Sequence, residues 1–434
     1  MSVKNIKKLP LYLLLFMAVY VILLGLFFLS VKTIPRQAIL PGLEASAEYY
    51  KDREMVEFLL KKVKASRLDN ISDPYLLNII NYQDSSKPAR SIANAMLYVG
   101  EGIGTTEAFC RAVTDLPAPD TEYLRYWHGS SALVRFMLQF TDITGIYRIF
   151  TILLALLTVI LSIVLLRYRH IRLWLYTMIA FAAGSLWFST ISLEYTWCAL
   201  LMLIFSILTA VLCQKGREKY LPAFLLVSGI LTNFLDFLTY ETVTMTVPML
   251  LAVAICFKKD KQLKETAVLS AGSALAWLCG YGGMWAGKWI YAAAVLRKNV
   301  LPLVTGHVEE RLVGAENLSS NYLIGTFQLL KREFGCLFPF GYGVGGKVVG
   351  ILLLIFLFSF YFVFQKKGGD LSKLKFYLLV GLVPIIRFLV LRNHTALHDA
   401  FTFRALMGTV LAWGLAGDQW LGDPKKDIPR DKKK

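Results

Sequence analysis

The sequence predicts an all-α fold, a polytopic bundle of about ten transmembrane helices. Three observations carry that expectation. Of the 434 residues, 56% are apolar, the mean hydropathy is positive at +0.53, and the apolar residues are gathered into long runs. A water-soluble chain of this composition would have more apolar surface than it could hide. A bilayer core about 30 Å thick needs about 20 apolar residues in helical form, and such runs recur from one end of the chain to the other. Each must satisfy its own backbone hydrogen bonds in hydrocarbon, so each is helical.

The first run is Leu11–Leu29. It follows Lys4, Lys7 and Lys8 and exceeds the about 7–15 apolar residues of a cleaved signal, so it reads as an uncleaved anchor. The other runs lie near Tyr147–Leu166, Leu173–Ser189, Trp197–Cys213, Leu221–Leu235, Val243–Phe257, Ala267–Trp285, Val348–Phe364, Phe376–Leu391 and Phe401–Trp413. Basic residues set the orientation. With a cytoplasmic N-terminus, the inner segments hold Arg167, Arg169 and Arg172, Lys215, Arg217 and Lys219, Lys258–Lys264, Lys366–Lys375 and the tail at Lys432–Lys434. The short outer loops hold almost none, as the positive-inside rule requires. Basic loops against an anionic inner leaflet also account for the net charge of +17, with no call on nucleic acid.

The chain divides into three parts under this reading. Residues 1–30 are the cytoplasmic N-terminus and first helix. Residues 31–146 form a long extracytoplasmic loop. Residues 147–434 form the bundle, with a second extracytoplasmic loop near 286–347 and a basic cytoplasmic tail. Glu44–Lys64 places Met55, Phe58, Leu59 and Val63 on one side and charges on the other, which predicts an amphipathic helix at the membrane surface. Pro117 and Pro119 break the chain before Tyr123–Phe140 resumes a helical pattern. Cys198, Cys213, Cys256 and Cys279 read as small apolar packing residues. Cys110 and Cys336 both fall outside, where a disulfide is open to them but not demanded by their spacing.

Chemistry-bearing residues collect on the outer side. His128, His307, His394 and His398 map there, as do Asp69, Asp73, Glu194, Asp236, Glu241 and Asp399. Polar groups at membrane depth are costly, so their gathering at one face marks a site. Taken singly, each turn carboxylate reads as a solvated group or a helix cap. Asp69-Asn70-Ile71-Ser72-Asp73 offers either a general base with its support or oxygen ligands for a divalent cation. The alternative is an Asx-turn joining two surface helices. Arg125-Tyr126-Trp127-His128-Gly129 opens an amphipathic helix that continues through Arg135. His394 and His398 share a face at i,i+4, but no third ligand adjoins them and no metal site is assigned. With Arg404 they suit an anion such as phosphate, the alternative being plain packing between helices.

One helix, a long first outer loop with surface helices and acidic residues, then a helix bundle: this arrangement resembles the GT-C superfamily of membrane glycosyltransferases, which use polyprenyl-phosphate sugars. The stretches Asp69–Asp73, Tyr123–Gly129, Asp236–Glu241, Gly280–Trp289 and Asn393–Arg404 also resemble the pattern of bacterial membrane proteins of surface-glycan assembly. The resemblance implies transfer of a sugar, with inversion, from a polyprenyl-phosphate donor to a glycan, lipid or protein acceptor, outside the plasma membrane. It points to Asp69 or Asp73 as the catalytic carboxylate, with Glu44 or Glu48 next. Arg125, His128, His394, His398 and Arg404 would receive the lipid phosphate, and Asn70, Tyr126, Trp127, Asp236, Glu241 and Asn393 complete the candidate site. The adjacent acidic pair of the O-mannosyltransferases is absent. Gly341–Gly346 has no flanking strand and reads as a loop, not a nucleotide cradle. Two further classes stay open: a polysaccharide polymerase or ligase, and a lipid-linked sugar flippase or transporter, which would want charged or broken helices at the midplane.

Overall fold

The computed structural model describes residues 9–312, 317–364 and 369–421. The basic residues assigned inside at Lys4–Lys8, Lys366, Lys367 and Lys432–Lys434 lie outside that range. Helix makes up 75% of the structure and strand 1%, so the all-α expectation holds.

Helix α1 (Leu9–Thr33) leads into a layer of short helices, α2 (Arg36–Tyr50), α3 (Ser72–Asn81), α4 (Pro88–Asn94), α5 (Thr105–Thr114) and α6 (Ser130–Met137). A two-stranded ribbon, β1 (Met96–Leu97) against β2 (Thr121–Glu122), ties this layer together. The bundle follows: α7 (Ile143–Arg167), α8 (Ile171–Ala183), α9 (Thr196–Gln214), α10 (Leu221–Leu235), α11 (Val243–Lys258) and α12 (Leu263–Leu296). Then come α13 (Leu301–Leu312), α14 (Tyr322–Cys336), α15 (Gly343–Val363), α16 (Leu371–Gly381), α17 (Val383–Val390), α18 (Arg392–Leu397), α19 (Asp399–Thr402) and α20 (Leu406–Leu421). The caps are local in origin. Asp142 accepts from Gly145 N–H at 2.9 Å to start α7, and Asp370 accepts from Ser372 and Lys373 N–H, each at 3.1 Å, to start α16.

Among the described residues six helices are long and apolar enough to cross a membrane: α1, α7, α9, α12, α15 and the composite Asp399–Leu421. That is fewer than the ten expected. The other four runs are helical but short, with 13 residues in α8, 15 in α10, 16 in α11, and 11 and 8 in the pair α16–α17. Polar turns cut them off. Ser185 sits in the left-handed region (φ 50°) and ends the path of α8, Asp236 leaves α10 in extended backbone, and Pro384 follows the break between α16 and α17.

The first loop is helical as expected, with shifted boundaries. The amphipathic helix is α2, ending at Tyr50, whereas Met55, Phe58 and Leu59 project from an irregular segment and are exposed. Likewise 123–129 is irregular and the helix begins at Ser130. Cys110 and Cys336 are both free thiols.

Helices α10 and α12 pack backbone to backbone. A Cβ on Gly229 would stand 2.2 Å from Trp277 O, and one on Gly280 would stand 2.3 Å from Leu226 O. Small residues facing each other let two backbones approach, the usual means of packing helices where lipid removes the hydrophobic drive. Gly280→Val should therefore push the pair apart and lower stability by about 1–3 kcal/mol. Thermal unfolding in detergent checks this, and an unchanged midpoint would contradict the close crossing.

Candidate functional site

The site begins with the polar turn between α8 and α9. Ser192 closes the turn that leads into α9: its Oγ accepts from Glu194 N–H at 2.9 Å and Tyr195 N–H at 3.2 Å. The same hydroxyl donates to Asp69 Oδ2 at 2.7 Å, with Asp73 Oδ1 3.3 Å away. Leu193 N–H donates to both Asp73 oxygens, at 2.8 and 2.9 Å, and the Tyr147 hydroxyl donates to Asp73 as well. Asp69 Oδ1 accepts from Ile71 N–H at 3.3 Å and Ser72 N–H at 2.8 Å, so the Asx-turn is present in the turn that leads into α3. The same short segment docks on the bundle through Ser192 and Leu193.

Burial, and then the neighbouring Asp69, push the Asp73 carboxyl well above the usual carboxylate range. Glu194 is raised for the same two reasons. It lines a cavity of about 30 Å³ together with Ser72, Tyr75, Leu76, Ile79, Tyr123, His128 and Phe237. Asp69 and Asp73 commit their oxygens to N–H and O–H donors. Among the described residues no group of three or more His, Cys, Asp or Glu is placed to hold a metal.

Cations stand beside Tyr126. Helix α13 lies over α18, where Asn393 Nδ2 donates to Glu310 O at 2.7 Å. Arg311 donates to the Tyr126 hydroxyl at 2.6 Å and to His394 Nδ1, while His394 Nε2–H donates to Leu238 O at 2.6 Å. Arg311 and Arg67 make no ion pair among the described residues. Burial, then Arg311, Arg67, Arg387 and Arg125, hold the His398 imidazole down to about 4. Of these four guanidiniums Arg387 and Arg125 are paired with carboxylates, Glu241 and Glu310, which leaves Arg311 and Arg67.

Several expected roles need correction. His128 is held down to about 3, by burial and then Lys288, and His394 is lowered by burial and then Arg387. These two and His398 are neutral imidazoles at pH 7, not phosphate-binding cations. Arg404 is fully buried and grips backbone, donating to Ala400 O at 3.1 Å and Ala65 O at 2.7 Å. Arg125 is paired with Glu310 at 2.8 Å. Glu241 is locked to Arg387 at 3.0 Å in a buried pair. Asn70 and Trp127 are structural, donating to Glu54 O and Met284 O, each at 2.7 Å. Glu44 and Glu48 are exposed on α2. The site instead draws in Ser192, Glu194, Arg67 and Arg311. Ser192 and Glu194 carry a weak sequence signal, a serine in the polar turn before a helix, and the two arginines carry none.

No protein family matches the chain, and neither a curated protein nor a solved structure matches it.

Asp236 follows α10 and accepts from Thr239 N–H at 3.0 Å. Burial, then Glu241, raise its carboxyl from 3.8 to about 6. The folded chain therefore keeps a proton that the unfolded chain releases, and this contribution to stability falls as pH rises from about 4 to about 6. Asp236→Asn should match the parent near pH 4 and exceed it by about 3 kcal/mol above pH 6, the worth of roughly two pKa units. Unfolding midpoints across that range check it, and parallel curves would refute it.

Proposed function

We propose that the chain is an integral membrane glycosyltransferase of the GT-C kind, moving a sugar from a polyprenyl-phosphate donor to a surface glycan, lipid or protein acceptor. One observation supports the reading. A carboxylate group and unpaired cations meet at one end of the bundle, around the same pair of tyrosines. Tyr123 lines the cavity beside Glu194, Arg311 donates to the Tyr126 hydroxyl at 2.6 Å, and the two rings meet edge to face with centroids 6.0 Å apart.

Asp69 is the proposed general base. Its oxygens face N–H and O–H donors that orient it without neutralising it. The acceptor hydroxyl gives its proton to Asp69 as its oxygen bonds to the anomeric carbon. The bond from that carbon to the phosphate oxygen breaks, and its electron pair leaves with the lipid phosphate. Arg311 and Arg67 meet the charge that grows there. Arg311 is tethered by a neutral imidazole and a phenol, which hold it in place and leave its charge for the substrate. Asp73 positions Asp69 through the shared Ser192 hydroxyl. The proposed orientation puts this end outside. A polymerase or ligase would use the same lipid phosphate and differ in what it transfers.

Asp69→Asn should lower transfer by roughly 10²–10⁴ while donor binding survives. Arg311→Ala should weaken binding of undecaprenyl phosphate at least about tenfold, the value of a charge-assisted contact. Wild-type transfer and binding in both variants would end the transferase reading. Orientation is checked separately by cysteine labelling: an impermeant reagent added outside should label position 298 and not position 215.

A further inference from the structure

The cavity beside Glu194 has a second feature that the transfer step does not use. His128 is 2% exposed, and its Nδ1 has no hydrogen-bond partner. The other ring nitrogen, Nε2, lies 3.1 Å from Tyr123 O. A carbonyl oxygen only accepts, so Nε2 carries the hydrogen and Nδ1 is left as a bare acceptor. The ring lines the cavity together with Glu194, Ser72 and Tyr123. The Tyr123 hydroxyl makes no hydrogen bond among the described residues, and the Ser72 hydroxyl lies beside the Glu194 carboxyl. A buried acceptor without a partner is rare in a native protein and calls for an occupant.

The dimensions choose the occupant. About 30 Å³ admits one water-sized group, since a water needs roughly 10–15 Å³ by this measure and 2–4 polar partners. A phosphate, a whole sugar ring or a hydrated cation is too large. The remaining wall is apolar, formed by Tyr75, Leu76, Ile79 and Phe237, so the polar partners of an occupant are His128, Glu194, Ser72 and Tyr123. Glu194 also adjoins Asp69, so a hydroxyl held here belongs to a ring lying against the proposed base.

We propose that this cavity is a hydroxyl subsite that takes one hydroxyl of the transferred sugar, with His128 Nδ1 as acceptor and the Glu194 carboxyl as second partner. The inference rests on the transferase reading and names what that reading leaves open, the feature of the sugar that is recognised. Water fills the same place when no sugar is present. A polar site of this kind discriminates strongly, because an analogue lacking the hydroxyl leaves both partners unpaired.

The test uses the full chain in nanodiscs and three probes: undecaprenyl phosphate alone, carrying a hexose, and carrying a pentose. The wild type should bind at least one sugar-bearing probe about tenfold or more tightly than the bare lipid phosphate. Tyr123→Phe keeps the ring and its packing, Glu194→Gln keeps size, and His128→Asn places at φ 54° a residue that tolerates a left-handed backbone. Glu194→Gln and His128→Asn should each cut the preference for the sugar-bearing probe about fivefold or more, Tyr123→Phe less, with bare-lipid binding unchanged. Arg311→Ala should weaken all three probes alike and leave the preference intact. Bare-lipid binding with no preference in the wild type, or a preference that survives all three cavity variants, overturns the subsite and leaves the transferase reading standing, the cavity then being a water site only. Failure of the wild type to bind any probe overturns both.

Discussion

A polar group buried in a bilayer is costly unless it finds a partner within the chain, because a bilayer offers no water to substitute. Three fully buried cations show how that is met. Arg135 donates to Ile34 O, just past the end of α1, and to Ile80 O in the last turn of α3. Lys288 donates to Ile92 O and Ala93 O in the last turn of α4, and Arg404 reaches Ala65 O. Helix C-termini present unsatisfied carbonyls with partial negative charge, so a cation there repairs the helix end and offsets its own desolvation. The layer of short helices is held to the bundle by these grips. Removing one would leave several carbonyls unpaired at once, which is why the contacts read as architecture and not as ligand sites.

This sorting of cations defines the site by subtraction. Arg387 is used by Glu241, Arg125 by Glu310, and Arg404 by backbone. Arg67 and Arg311 remain, and their charge is not cancelled by a carboxylate among the described residues. The acids sort in a parallel way. Asp73 is fully buried with a backbone N–H and a phenol, whereas Asp69 receives a serine hydroxyl and the start of a helix. Carboxyls placed in unlike surroundings are held differently, Asp73 inside the fold and Asp69 at a turn.

The helices were legible in the sequence because hydropathy is a local property, readable from twenty neighbours at a time. Their lengths were not. The polar turns at 184–195 and 236–242 look like ordinary loop residues, and only in the fold do they become buried hydrogen-bonded floors that shorten α8, α10 and α11. The acidic segment at Asp69–Asp73 was visible for a similar reason, since its two aspartates share one short stretch. The histidines misled. Their charge depends on burial, and a motif shows residue type without depth. Arg404 and Arg311 are the same residue in unremarkable surroundings. What separates them is a carbonyl 339 residues away from Arg404 and a tyrosine 185 residues away from Arg311, distances that no periodicity spans.

Where the charges stand also bears on what the bundle can do. In none of the six candidate spans does the middle third contain Asp, Glu, Lys or Arg. The polar contacts at that depth are neutral, such as Thr232 Oγ1 to Ser228 O at 2.7 Å, Trp277 Nε1 to Thr244 Oγ1 at 3.0 Å and Thr409 Oγ1 to Gly381 O at 2.8 Å. These bonds repair backbone or join helices, and none offers a charged step for an ion or a sugar phosphate crossing the bilayer. A carrier needs such a step at the midplane, because the substrate's charge is most costly there. An enzyme working at one face needs only that its acid, its cations and its lipid groove meet at the ends of the helices. The buried carboxylates and free arginines of this chain meet at the helix ends, and the charged residues within the candidate spans, Lys288 and Arg404 among them, stand outside the middle thirds.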